Sequence, residues 1–316
     1  MRDLVAETTR LASSKSYTAG DAPVLIGADG RFVAYQPVAT GRPYPDLRVT
    51  DLQTGAFLTL GSNVPAKAFS GDGRKLAHLE LDSQSKSNTL VLADLVQGTN
   101  TRLPLGAATG SSHLAVSASS DGRWVALSTR APMVGPVADA VENIFLCDVP
   151  NANLTLASVN RWGTAGGNGV SASPRISADG RYVAFRSAAS DLVADDEGGR
   201  EFLFDRLTGQ TTRLSSSADG MASTPGTSLG FDMTPDATRV VFSSFVSDLV
   251  SGDFNGAVDI FTVGAEPTTP PSETPVIRLT EAKDSSHRAR QAGDGRSPRD
   301  NWQTSCRRCS IRVCGL

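Results

Sequence analysis

One phrase recurs five times along this 316-residue chain, and it constrains the fold more than any other feature. It reads GADGRFVAY at 27–35, SGDGRKLAH at 70–78, SSDGRWVAL at 119–127, SADGRYVAF at 177–185 and TPDATRVVF at 234–242. The aspartates Asp29, Asp72, Asp121, Asp179 and Asp236 mark the copies at spacings of 43, 49, 58 and 57 residues. Asp-Gly between two β-rich runs predicts strand, tight turn, strand, because glycine accepts positive φ and aspartate bonds the neighbouring backbone. In the fifth copy Ala237 stands where the glycine should be, which predicts a different turn geometry there.

A second phrase follows each of the first four copies after a loop of variable length. It reads LRVTDLQTGAFLTL from Leu47, LVLADLVQGTNTRLPL from Leu90, IFLCDVPNANLTLASV from Ile144 and FLFDRLTGQTTRLSSS from Phe202. These supply a third and a fourth strand, and Asp51, Asp94, Asp148 and Asp205 close the third strand, where a carboxylate accepts backbone N–H bonds of the turn. The fifth copy, DIFTVGAEPTTPPSETPVIRLT, puts a Pro/Thr/Ser loop in place of the short turn. Four strands repeating at this period predict an all-β chain, a β-propeller of four-stranded antiparallel blades. Near-continuous apolar runs such as Tyr182 to Phe185 suit sheets buried on both faces, so neighbouring blades must share their cores.

Five blades are expected near 20–60, 61–105, 112–160, 170–217 and 228–280. ETTRLASS at 7–14 matches QTTRLSSS at 210–217, which predicts an outer strand that closes a blade, with six blades in the complete ring. Beyond residue 280 the β patterning stops, and 281–316 is expected to be a basic tail, disordered or the product of a frameshift. That tail holds eight basic and four acidic side chains, so the body before it carries a formal −7 within an overall −3.

A mildly acidic body with scattered charges argues against nucleic-acid binding, which needs basic residues clustered on one face. Apolar runs stay well short of the length that spans a membrane, and the N-terminus lacks a charged-then-apolar leader. Of the four cysteines, Cys306, Cys309 and Cys314 lie in the tail and only Cys147 in the body, so no disulfide framework is expected.

The phrases SADGRYVAF, SDLVSGDFNGAVDIF and FDRLTGQTTRLS resemble the TolB-like, or WD-like, propeller repeats of bacterial secreted and envelope proteins. The resemblance covers about residues 7–280. It implies a periplasmic or secreted binding scaffold for a protein, peptide or glycan partner. The alternative it leaves open is a hydrolase- or lyase-type propeller, or the gating domain of a peptidase.

Several motifs invite catalytic readings. Gly226, Ser228 and Gly230 spell a nucleophile elbow, but the elbow needs strand, sharp turn and helix, whereas GTSLG leads into a blade's first strand. His78, His113 and His287 share no metal-ligand spacing, and His78 takes a strand position held elsewhere by Tyr, Leu or Phe. Cys306 and Cys309 form a CxxC without a second pair. No catalytic residues and no cofactor are expected. The candidate metal loops are Asp195 and Asp196 in the fourth blade and Asp253, Asn255 and Asp259 in the fifth, where oxygen side chains flank glycine as in loops that fold around Ca2+. A solvated polar turn is the competing reading, since the loop is shorter than an EF-hand and the fourth blade lacks the matching Asn.

Overall fold

The computed structural model describes residues 2–3, 8–9, 24–37, 45–107 apart from 83 and 86, 114–130, 141–194, 200–215, 228–264 apart from 254 and 255, and 276–278. All of these fall within one compact unit, Met1–Ala282. Strands β1 (Arg2–Asp3) and β2 (Thr8–Thr9) pair antiparallel. Thr8–Thr9 lies inside the segment read as an outer strand.

Five four-stranded antiparallel sheets follow among the described residues, each built from four strands in chain order. The first holds β3 (Leu25–Ile26), β4 (Phe32–Tyr35), β5 (Leu47–Asp51) and β6 (Phe57–Gly61). In the second are β7 (Ala66–Phe69), β8 (Lys75–Leu81), β9 (Ser87–Asp94) and β10 (Thr99–Ala107). The third has β11 (Ala115–Ala118), β12 (Trp124–Thr129), β13 (Asn143–Asp148) and β14 (Asn153–Leu156), with a 3-10 turn over Val149–Asn151. The fourth comprises β15 (Ser171–Ile176), β16 (Tyr182–Ser187), β17 (Glu201–Asp205) and β18 (Gln210–Arg213). In the fifth are β19 (Ser228–Met233), β20 (Arg239–Ser244), β21 (Asp259–Gly264) and β22 (Val276–Arg278). These sheets are the blades of a β-propeller, as the repeat predicts.

No blade owns its core. One cluster joins Leu79, Leu90 and Leu92 of the second blade to Val125, Leu127 and Phe145 of the third. Others join the third to the fourth through Leu146, Val183 and Phe185, and the fourth to the fifth through Tyr182, Leu203 and Phe242. Phe32 and Val49 of the first blade pack with Leu76 and Ala93 of the second. Every residue of β13 and β17 is buried, because each third strand has a neighbouring sheet on both faces. Paired phenylalanines repeat the plan: Phe185 stacks on Phe202 at 5.8 Å between ring centroids, and Phe242 on Phe261 at 5.7 Å. Each buried ring contributes about 1.5–3 kcal/mol, so adjacent blades stabilise each other and a lone blade would not.

The fifth hairpin corrects one expectation. Ala237 adopts φ 57° and its N–H bonds Thr234 O at 2.9 Å, while Gly180 at φ 72° bonds Ser177 O at 3.0 Å. The turn geometry is therefore kept. The strain of a left-handed alanine, about 1–2 kcal/mol, is offset by a methyl group that packs, 1% exposed, in the core shared by the fourth and fifth blades.

Candidate functional site

Strand alternation gives each blade two unlike ends. The turns between first and second strands, and between third and fourth, emerge at one end. At the other emerge the connections between second and third strands and the links from blade to blade. The first end is stapled. In four blades a hydroxyl, from Ser70, Ser119, Ser177 or Thr234, donates to the turn aspartate at 2.6–2.8 Å. The same hydroxyl accepts the N–H of the residue that opens the second strand. Gly27 replaces it in the first blade, where a Cβ would lie 2.9 Å from Gly73 O of the next turn. Backbone bonds then link turn to turn: Asp72 N to Ser120 O at 2.9 Å, Ser120 N to Ala178 O at 2.8 Å, and Ala178 N to Pro235 O at 2.7 Å.

An arginine clamp completes this end in three blades. Arg31, Arg123 and Arg181, which follow the turn glycines, reach Asp51, Asp148 and Asp205 with two parallel hydrogen bonds each, at 2.8–3.2 Å. Each guanidinium also lies over the next side chain, Phe32, Trp124 or Tyr182, 4.7–5.3 Å from the ring centroid. The Arg31 hydrogen bonds hold the Asp51 carboxyl down at about 2, against its burial. In the fifth blade both partners are gone, with Thr238 and Gly264 at their positions. Such bidentate charged pairs fix geometry more than they react.

The loop end carries an exposed aromatic group on a preorganised hairpin. From Ala157 to Val170 the link between the third and fourth blades folds into its own hairpin. Asn160 N bonds Ala165 O, Gly163 N bonds Asn160 O, and Asn160 Oδ1 accepts Thr164 N at 3.0 Å. Val159 bridges Gly166. This hairpin is tied to the 188–194 segment of the fourth blade. Asp191 O accepts Arg161 N at 2.8 Å and its Oδ1 accepts Asn168 N at 2.9 Å, while Asn168 Oδ1 accepts Ser190 N at 2.8 Å. At its tip Trp162 remains 60% exposed, with the Arg161 guanidinium 4.5 Å from the ring centroid. Among the described residues, this ring belongs to none of the core clusters.

A buried polar strut joins the first two blades. Lys67 Nζ donates to Gln36 Oε1 at 2.5 Å, and Gln36 Nε2 donates to Pro45 O and Val64 O at 3.1 and 2.7 Å. Burial pushes the Lys67 amine down to about 8. Across the strand pair lies His78, fully buried as a packed histidine, with Nε2 3.5 Å from Glu80 Oε1. Burial would raise Glu80, but His78 and the Arg102 guanidinium outweigh it and hold the carboxyl at about 2. Cys147 is equally inert: burial and Asp148 push its thiol up to about 12.

Of the candidate metal loops, Asp253 and Asp259 are buried at 4% and 2% exposure, and Asp259 opens β21. Asp195, Asp196 and Asn255 lie outside the described residues. Among the described residues, no group of three or more His, Cys, Asp or Glu is arranged to hold a metal ion. Ser228 and Gly230 sit within strand β19, where a nucleophile elbow has no place; Gly226, His113, His287, Cys306 and Cys309 lie outside the described residues. Among the described residues, no helix is long and apolar enough to cross a membrane. The sequence reading missed the arginine clamps, whose signal was available: the arginine and the strand-closing aspartate occur together in four repeats and vanish together in the fifth. It also missed Trp162, which no repeat announces.

No protein-family model matches the sequence, and no curated protein matches it. Solved structures do match the fold. Prolyl oligopeptidase B from Galerina marginata aligns at 14% identity and a TM-score of 0.51, over 84% of this chain and 34% of that one. The tricorn protease aligns at 13% and 0.50, over 81% of this chain and 24% of that one. An oligogalacturonate lyase in complex with manganese aligns at 15% and 0.50, over 81% of this chain and 63% of that one. The chain thus spans less than two thirds of the length of each of these proteins, and the likeness is one of fold.

Proposed function

We propose that the chain is a non-catalytic binding scaffold whose loop end captures a protein, peptide or glycan partner, with Trp162 as the anchor. The observation that carries this reading is the exposed Trp162 ring on a hairpin fixed by backbone bonds to the neighbouring blade. Aromatic anchors on rigid loops contribute large contact area at little entropic cost, which is why binding hot spots favour tryptophan. The titratable groups with strongly displaced values have structural employment: Asp51 in a clamp, Lys67 in the strut between blades, Glu80 paired with His78 and Arg102 within the second blade, and Cys147 in the core. The resemblance to secreted repeats supports a partner in the periplasm or outside the cell. The fold hosts enzymes and binding domains alike, so the reading rests on the site.

Labelled protein applied to glycan and peptide arrays tests it, with Trp162→Ala applied in parallel. Selective binding that the substitution removes supports the scaffold. Binding indifferent to Trp162, or turnover of an arrayed substrate, overturns it.

A further inference from the structure

The junction between the second and third blades departs from the plan of the next junction along, and a cleft opens at the departure. Between the third and fourth blades the corresponding space is filled by Trp124. Arg206 covers that ring 4.0 Å from its centroid and donates Nε to Gly180 O at 3.0 Å. Gly180 presses so close that a Cβ there would lie 2.3 Å from Trp124 Cδ1. One blade earlier, strand register puts Lys75 at the Trp124 position, since Lys75 pairs with Asp94 as Trp124 pairs with Asp148. Val149 takes the Arg206 position, each being the residue after the strand-closing aspartate. A thin lysine and a valine do not fill the space of an indole and a guanidinium. Lys75 instead runs beneath Gly122 and donates Nζ to Asp121 O at 2.8 Å, leaving an open cleft of about 240 Å3.

A second departure coincides with the first. Asp94 is the one strand-closing aspartate of the four without its arginine, since Arg74 forms no ion pair with it. Its Oδ1 accepts the turn N–H groups of Val96 and Gln97 at 3.0 and 2.8 Å. Among the described residues, its Oδ2 has no hydrogen-bond donor, and Asp94 lines the cleft. Thr99 and Thr101 of β10, opposite Asp94 and Leu92 in the ladder, add two hydroxyls to the same wall, and Gln97 an amide. Leu92, Val149 and Pro150 supply the apolar part.

We infer that this cleft is a binding subsite for one neutral pyranose unit of a glycan. Its carboxylate, hydroxyls and amide match a ring bearing several hydroxyls, and its apolar residues match the C–H face of such a ring. Lys75 and Asp94 put one charge of each sign on the lining, so neither an anion nor a cation is favoured over a neutral ring. The subsite lies at the turn end of the blades. It stands or falls independently of Trp162.

Methyl α- and β-glycosides of glucose, galactose and mannose are the probes, read by ligand-observed NMR against the full chain. At least one should show saturation transfer, weakened about tenfold or more in Lys75→Trp/Val149→Arg, which rebuilds the stack of the next junction, and unchanged in Trp162→Ala. Thr101→Trp, at an exposed strand position, occludes the cleft without touching the core and should act alike if the double variant fails to fold. Absence of binding by all the glycosides, binding that survives occlusion, or preference for an amino acid or inorganic phosphate overturns the inference.

Discussion

Arg181 grips Asp205 with two parallel bonds, Nε to Oδ1 at 3.1 Å and Nη2 to Oδ2 at 2.8 Å, and so ties the start of one strand to the end of the next. Asp205→Asn keeps the shape but loses the charge, and should cost about 1 kcal/mol at neutral pH once partial exposure of the pair is allowed for. Urea denaturation measures it.

The same clamps set the acid limit of the fold. The hydrogen bonds of Arg31 and Arg123 hold Asp51 and Asp148 below the usual carboxylate range, and Arg181 does the same for Asp205 against its burial. A carboxyl lowered in the folded state contributes stability that is complete above the unfolded value, about 3.9, and is lost as pH falls through the folded one. The melting temperature should therefore hold from pH 7 to pH 5 and drop between about pH 4 and pH 2. Over that lower interval the gap between wild type and Asp205→Asn should close.

Gly180 and Ala237 occupy the same turn position with opposite tolerance. Gly180→Ala adds a left-handed alanine and a methyl group 2.3 Å from Trp124 Cδ1, and should destabilise by about 2–4 kcal/mol. Ala237→Gly relieves the strain but gives up a buried methyl, so its effect should stay within about 1 kcal/mol of zero. Denaturant midpoints of the two variants check both statements.

Lys67 should reveal itself at alkaline pH. Burial lowers its amine to about 8, so between that value and the unfolded one, about 10.4, the unfolded chain binds the extra proton. Stability of wild type relative to Lys67→Met should rise across that interval and level off above it. A flat difference would show that the amine is not desolvated.

The blades were legible because each strand pair is announced by its own turn, from Asp29 to Asp236, and the third strand of four blades by a closing aspartate. Ala237 misled because a turn residue was judged by its backbone alone, while its methyl belongs to the core of two blades. The Arg31, Arg123 and Arg181 clamps escaped because an arginine after a turn reads as surface charge until register sets it opposite an aspartate. Loop chemistry was the least legible part. Asp253 and Asp259, read as candidate ligands in a polar loop, are buried, and Trp162 follows no period because the hairpin that holds it is an insertion between blades.

The proposed scaffold binds its partner at the loop end and leaves it intact. The most direct test titrates the strongest array ligand into wild type and Trp162→Ala by calorimetry, with the ligand recovered afterwards and examined for cleavage. A scaffold anchored by Trp162 gives saturable binding to wild type, a dissociation constant at least about tenfold weaker in the variant, and intact ligand from both. Equal affinities, or a ligand returned cleaved by wild type, would contradict it.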